Sequence, residues 1–216
     1  MNDPQRVQVS PLKAEDLVYV PQPGEAPHVK SGARISTGKL VGDLYYRVIK
    51  KMDQSQDPDM VWRMHMGFTW ENVLERVYKL DIGRREALLN GVRRPPIFVM
   101  DDVGCAPDGH KPADKKTGEP GYIAEYKATW KSAKKLDDFE HEFKPWIWQV
   151  VPYCIYYKVL VAVFYPMCFL GEYGKEPEKR RVGAYRVVKW FTQEELASTW
   201  KMLLGHKAQM EKMGMI

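Results

Sequence analysis

The most constraining feature of this chain is a pair of charged residues inside an otherwise apolar stretch. Residues 121–129 have the sequence Gly-Tyr-Ile-Ala-Glu-Tyr-Lys-Ala-Thr, which predicts a β-strand. Glu125 and Lys127 are two positions apart, so they project from one face of this strand while Tyr126 points to the other. Burying an unpaired carboxylate is costly. We therefore expect Glu125 to have a partner, such as a cation.

The composition is that of an ordinary soluble protein. The chain has 216 residues, of which 44% are hydrophobic and 28% charged, and this length favours a single domain. No stretch approaches the ~20 apolar residues of a membrane span, so no membrane partner is expected. Residues 1–6 lack the basic and apolar segments of a secretory signal, which predicts a cytoplasmic location.

The order of predicted elements indicates an α/β (α+β) fold in which helices flank a central mixed sheet. Residues 1–33 are rich in proline and predict an extended N-terminal arm, and residues 34–216 form the predicted domain. The predicted helices cover residues 37–52 (capped by Ser36 or Thr37), 69–80, a stretch from 137 that Pro152 should kink, and 192–206, which starts with a capping box. The predicted strands cover residues 97–103, 121–129, 161–171 and 182–191, with the first two joined like a hairpin by a polar loop.

Two acidic residues outside the central strand could complete a metal site. Asp108 lies before a glycine at a predicted strand end, and Glu71 lies on the second predicted helix. Mg²⁺ prefers carboxylate and water oxygens, so Asp108, Glu125 and Glu71 could hold it beside the backbone carbonyl of Tyr126. Lys127 would then orient an attacking water. The alternatives are that Asp108 is a turn residue and that Glu71 is a solvated helix acid.

These residues, in this order, resemble the motifs of the PD-(D/E)XK nuclease superfamily. Pro107-Asp108 is similar to the first half of its signature, and Glu125-Tyr126-Lys127 is similar to the second half. The segment Gly67-Phe68-Thr69-Trp70-Glu71 resembles the upstream Gly-x-x-x-Glu motif, and Gln149-Val-Val-Pro-Tyr153 resembles the downstream Gln-x-x-x-Tyr motif. The set is typical of the phage-exonuclease and RecB-type branch. Glu71 stands where many RecB-type relatives carry histidine, which points to the lambda-exonuclease-like subtype.

The resemblance implies a restriction-endonuclease-like core and a Mg²⁺-dependent deoxyribonuclease, with Mn²⁺ as a substitute ion. Gln149 and Tyr153 would help to place the DNA and the active-site lysine. The implied activity is exonucleolytic processing of double-stranded DNA ends in phage-type recombination or repair, in the cytoplasm of a bacterium or a phage-infected host cell. The implied partners are DNA and a single-strand annealing protein, and the chain could form a ring-shaped homo-oligomer.

Basic residues surround the predicted site, although the net charge of the whole chain is only +5. Lys131, Lys134 and Lys135 are predicted to contact DNA phosphates, and the alternative is that they form a solvated face. Gln149 and Tyr153 could likewise be ordinary polar groups on a helix whose aromatic residues belong to the core. Three other functions stay open: an endonuclease or structure-specific nuclease of the same fold, a catalytically silent DNA-binding module, and an RNA-directed enzyme.

The three cysteines are dispersed along the chain at positions 105, 154 and 168. Their spacing fits neither a disulfide framework nor a Cys-x-x-Cys metal site, so we expect buried, reduced thiols. The resemblance includes relatives that carry an iron–sulfur cluster, which needs four cysteine ligands. Three dispersed cysteines exclude such a cluster here.

Overall fold

The computed structural model describes residues 7–11, 32–51, 70, 95–170 and 183–216. The strands are β1 (Val7–Pro11), β2 (Ile35–Ser36), β3 (Phe98–Met100), β4 (Val103–Cys105), β5 (Gly109–Lys111), β6 (Tyr122–Ser132), β7 (Val161–Leu170) and β8 (Gly183–Trp190). The helices are α1 (Thr37–Gly42), which continues as a π-helix over Asp43–Ile49, a 3-10 helix over Ala133–Asp138, α2 (Phe139–Glu142), α3 (Lys144–Tyr157) and α4 (Gln193–Lys212).

At the centre of the fold, the described residues form a five-stranded sheet with the order β1-β8-β7-β6-β5. Strands β6 and β7 run parallel, whereas β5–β6, β7–β8 and β1–β8 are antiparallel pairs. The sheet is therefore mixed, as predicted. Strand β1 pairs along its whole length with β8, so this part of the predicted N-terminal arm is an edge strand of the sheet.

The two faces of the sheet are covered by different parts of the chain. Ile123, Phe164 and Val187 face the large core that also contains residues of α1, α3 and α4. Tyr126 faces the opposite side with other apolar residues of β6, β7 and β8. Trp70, which is helical, packs on this second side. Helical residues thus contact both faces, which confirms the predicted α/β (α+β) class with a flanked central sheet.

Two predicted helix starts are confirmed by their caps. The Ser36 hydroxyl accepts a hydrogen bond from the Lys39 N–H at 3.3 Å at the start of α1. At the start of α4, the Thr192 hydroxyl accepts from the Glu195 N–H at 3.0 Å, while the Glu195 carboxylate accepts from the Thr192 N–H at 2.7 Å. Each cap satisfies amide groups that have no partner inside the helix. No helix in these described segments is long and apolar enough to cross a membrane.

The predicted strand over residues 97–103 is wrong, because this stretch folds as a tight hairpin. Strands β3 and β4 pair antiparallel with Met100 opposite Val103, which leaves Asp101 and Asp102 as the two-residue loop. Both loop residues have positive φ, 51° and 60°, which is the conformation of a type I′ turn. The hairpin joins β2 in a separate three-stranded sheet. The partner of β6 is therefore β5, not the stretch over residues 97–103.

Other predicted bounds are close to the observed ones. Strands β7 and β8 lie within the predicted residues 161–171 and 182–191, and β6 extends beyond the predicted residues 121–129 to Ser132. Helix α3 continues through Pro152 as one helix. Helix α4 extends beyond the predicted end to Lys212. The predicted second helix over residues 69–80, including Glu71, lies outside the described residues except for Trp70. The restriction-endonuclease-like core remains a prediction.

Candidate active site

Asp108 lies immediately before β5 and beside the central strand β6. Gly109 pairs with Ala124, so one further step of the antiparallel register places Asp108 opposite Glu125. Residues opposite each other in an antiparallel pair project to the same face. The Asp108 Oδ2 accepts a hydrogen bond from the Tyr126 N–H at 2.8 Å, which fixes this carboxylate just before the start of β5. Residues that are remote in sequence are thus neighbours in space, as predicted for Asp108 and Glu125.

Glu125 is buried in a compact polar cluster. Its side chain is 1% exposed, and its Oε1 lies 2.6 Å from the Lys127 Nζ. The same Oε1 accepts a hydrogen bond from the Gln149 Nε2 at 3.0 Å. Lys127 also donates to the Gln149 Oε1 at 3.1 Å, which closes a ring of three contacts. Glu125 therefore has a charged partner in Lys127, and the metal ion that was predicted to bind Glu125 stays a prediction. Gln149, which was predicted to help place Lys127, contacts this lysine directly.

Tyr153 lies one helical turn after Gln149 and faces the same cluster. Burial is the main cause that raises the pKa of its hydroxyl well above the ordinary value. The carboxylates of Glu125 and Asp108 add to this rise, and a hydrogen bond with Gln149 opposes it. Glu125 contacts Gln149 of α3, and the register places Asp108 opposite Glu125, so both carboxylates lie on the side of the sheet that α3 covers. Tyr153 is therefore a neutral hydroxyl that helps to hold Gln149 in place.

The oxygen atoms near Asp108 suit a hard cation. In an extended strand the N–H and C=O of one residue point to the same side, so the Tyr126 carbonyl points, like its N–H, toward the β5 side of β6, at a position that β5 does not pair with. Two carboxylates and a carbonyl are ligands that Mg²⁺ takes together with water and phosphate oxygens. Within the described segments, no group of three or more histidine, cysteine, aspartate or glutamate side chains is placed to hold a metal ion.

Glu71, the remaining predicted ligand, lies outside the described residues. Its neighbour Trp70 packs on the face of the sheet opposite α3. The Trp70 Nε1 donates a hydrogen bond to the Tyr165 carbonyl oxygen at 3.0 Å, which fixes the indole on β7. The prediction that Glu71 joins the other carboxylates therefore stays a prediction.

Two of the three predicted phosphate-binding lysines share one carboxylate. Glu142 lies 2.8 Å from the Lys131 Nζ and 2.6 Å from the Lys135 Nζ. The hydrogen bond from Lys131 and then that from Lys135 lower the pKa of Glu142 to about 2. Lys134, between them, lies in the 3-10 helix with an exposed side chain. The sequence did not indicate Glu142, because no local pattern links it to residues at this distance along the chain.

Comparisons with known proteins do not identify a family. No protein-family model matches the chain, and no curated protein matches its sequence. A solved structure described as "Crystal structure of SSO0001" is similar to it, with 13% identity and a TM-score of 0.39, over 82% of this chain and 78% of that one. A likeness at this level carries no argument about activity.

Proposed function

We propose that this protein is a Mg²⁺-dependent deoxyribonuclease of the PD-(D/E)XK type that hydrolyses phosphodiester bonds in DNA. The observation that supports the proposal is the cluster of Glu125, Lys127 and Gln149 beside Asp108. Buried ion pairs are often no more stabilising than apolar residues of the same size. A buried Glu–Lys pair next to a second carboxylate is therefore better explained by chemistry than by stability.

Each side chain has a distinct role in this proposal. Asp108 and Glu125, with the Tyr126 carbonyl, would hold the cation beside the start of β5. The bound ion would make a water more acidic and stabilise charge on the leaving oxygen. Lys127 would hold the attacking water through its ammonium group. Gln149 contacts both Lys127 and Glu125, so it positions the ammonium relative to the carboxylate.

The resemblance supports the narrower proposal that the enzyme is an exonuclease that acts on the ends of duplex DNA. Such an enzyme would leave a single strand for an annealing protein, and a ring-shaped homo-oligomer would favour processive digestion. Lys131, Lys134 and Lys135 would add phosphate contacts. Glu142 would weaken those of Lys131 and Lys135, because its carboxylate partly neutralises both lysines.

The deciding experiment is a timed digestion of end-labelled linear duplex and of closed circular duplex, with and without Mg²⁺. We expect Mg²⁺-dependent loss of the linear form alone. Lys127→Ala should reduce the cleavage rate by about a hundredfold or more, the range for loss of a positioned catalytic group. DNA binding should be largely retained. Lys116→Ala, which removes an exposed lysine from the loop before β6, is the matched control.

Other outcomes separate the alternatives. Cleavage of the circular form would identify an endonuclease, and faster cleavage of an RNA of the same sequence would identify an RNA-directed enzyme. DNA binding by the wild-type protein without any cleavage would identify a silent binding module. If Lys127→Ala and Lys116→Ala cleave at the wild-type rate, Lys127 does not have the proposed role. Circular dichroism of each variant shows whether it is folded.

A further inference from the structure

Four rings form two stacked pairs at the C-terminal end of α3. Tyr156 stacks on Phe98 of β3, with ring centroids 3.9 Å apart and an interplanar angle of 15°. Tyr157 stacks on His110 of β5 at 4.2 Å and 28°. The two pairs meet edge to face, since Tyr156 and Tyr157 are 5.0 Å apart at 75°. We call these four residues the ring array.

The ring array lies next to the candidate active site, on the same helix and beside the same strand. Gln149, Tyr153 and Tyr156 are spaced by four and then three residues, so they lie on one face of α3. Tyr156 is about 10 Å from Gln149 along the helix axis, at a rise of ~1.5 Å per residue. On the sheet, His110 is two residues from Asp108 in the same short segment. Helix α3 and strand β5 therefore both extend from the candidate active site to the ring array.

One member of the ring array presents an aromatic face to solvent. Tyr156 is 50% exposed, whereas its stacking partner Phe98 is 8% exposed. The Tyr156 ring is therefore held from behind by a buried ring, which limits its motion and leaves its outer side accessible. Lys158 lies two residues later with an exposed side chain. An exposed ring beside a basic residue is the combination that binds the bases and the backbone of single-stranded nucleic acid.

We propose that Tyr156 stacks on an unpaired nucleobase close to the phosphate that a cation at Asp108 and Glu125 would bind. A base inside a duplex is already stacked on both faces, so this contact selects nucleotides that are frayed or single-stranded. The substrate of the site is then an unpaired DNA end rather than an intact duplex. This inference rests on the proposed function, because it assigns the ring array to the same DNA.

The test measures the affinity of a fluorescein-labelled single strand of about 12 nucleotides, a usual site size for such grooves. Binding is followed by anisotropy in Ca²⁺, which also takes oxygen ligands. Tyr156→Ala should weaken binding about tenfold, within the range for loss of one base-stacking ring. Tyr156→Phe keeps the ring and should bind like the wild type. Trp130→Ala is the matched control, because Trp130 is a 43% exposed ring that contacts Phe169 instead.

A second set of strands tests stacking itself. Each strand carries one abasic nucleotide, and its position is moved along the strand. At the position that meets Tyr156, removal of the base should weaken wild-type binding and abolish the difference between the wild type and Tyr156→Ala. A loss of folding in Tyr156→Ala would instead weaken binding of every strand equally, and Tyr156→Phe would still report on the ring.

Three results would overturn the inference. The first is that Tyr156→Ala, Trp130→Ala and the wild type all bind the single strand with the same affinity. This result would leave the proposed function unaffected. The second is that Tyr156→Ala changes the sedimentation of the protein but not its DNA affinity, which would identify a protein contact. The third is that the wild type binds no DNA at all, which would remove the proposed function as well.

Discussion

At the residue scale, the environment of Glu125 explains why a charged group is tolerated in the core. Removing its carboxylate from water has a desolvation cost. The Lys127 ammonium and the Gln149 amide, which contact the same carboxylate oxygen, offset this cost. The sequence predicted a partner because Glu125 interrupts an apolar strand. The spacing placed Lys127 on the same face of the strand, and Gln149 was indicated through the resemblance alone.

The paired lysines around Glu142 give a pH-dependent contribution to stability. The pKa of Glu142 is about 2 in the folded protein and near 4.5 for an unperturbed glutamate. A carboxylate with a lowered pKa stabilises the fold above its unfolded pKa, and this stabilisation is lost as the pH falls through the folded pKa. We therefore expect Glu142→Gln to lower the free energy of unfolding above pH 4.5, and this deficit to shrink as the pH falls toward 2.

Urea unfolding followed by fluorescence over this pH range measures the effect. Glu194→Gln is the control, since it removes the same charge from an exposed position in the first turn of α4. The effect should also weaken in high salt, which screens exposed charges. A deficit that is equal at all pH values would contradict the role of Lys131 and Lys135.

At the element scale, long-range contacts stabilise the β3–β4 hairpin, which the sequence did not predict. Residues 97–103 have the apolar character of one strand, and Asp101-Asp102 lacks the glycine that usually marks the second position of a type I′ turn. The Asp101 carboxylate accepts a hydrogen bond from the Trp200 Nε1 at 2.8 Å, and Asp102 lies 3.3 Å from the Arg34 Nε. These partners belong to α4 and to the segment before β2. The turn is therefore fixed by contacts that no local pattern contains.

The end of α3 offers a test of backbone strain. Lys158 is the C-cap of this helix and has a φ of 54°, a left-handed conformation in which glycine is preferred. Lys158→Gly should raise the free energy of unfolding by about 0.5–1 kcal/mol, because relief of ~1–2 kcal/mol of strain exceeds the entropy cost of glycine. Urea denaturation measures the change.

The matched control is Lys201→Gly, another exposed lysine, which lies inside α4. There glycine should lower the free energy of unfolding by about 1 kcal/mol, because it has a poor helix propensity. If both substitutions destabilise the protein equally, the left-handed conformation at Lys158 carries no strain that glycine can relieve.

At the scale of the whole molecule, the candidate site depends on several elements that one core holds together. Strand β6 supplies Glu125 and Lys127, the residue before β5 is Asp108, and α3 supplies Gln149. A partly buried contact of 2.8 Å between the His206 Nε2 and the Asp43 Oδ2 connects α4 to the π-helical continuation of α1. Because the core connects these elements, loss of packing in one should disturb the site as a whole.

The three cysteines can report whether this core unfolds as a unit. Cys105, Cys154 and Cys168 are fully buried and belong to the same core. Burial is the main cause that raises the pKa of Cys105 to about 11 and that of Cys154 still further. Since the thiolate is the reactive form, we expect no modification of the native protein by a thiol reagent at neutral pH, and modification of all three thiols in urea.

Mass spectrometry of the labelled peptides gives the rate at each cysteine. Equal rates at rising urea concentrations would support one cooperative unit, which is the predicted single domain. A cysteine that reacts well before the other two would show that its part of the core opens separately. The free amino acid cysteine, labelled under the same conditions, controls for the effect of urea on the reagent.

The sequence by itself determined the strands β6, β7 and β8, the caps of α1 and α4, and the shared face of Glu125 and Lys127. These features depend on periodicity and on residues a few positions apart, so the local pattern contains them. The tertiary structure decided that Asp108 lies opposite Glu125, that Glu142 pairs with Lys131 and Lys135, and that Phe98 supports Tyr156. Such contacts depend on strand register and on the packing of distant segments, which a local pattern does not specify.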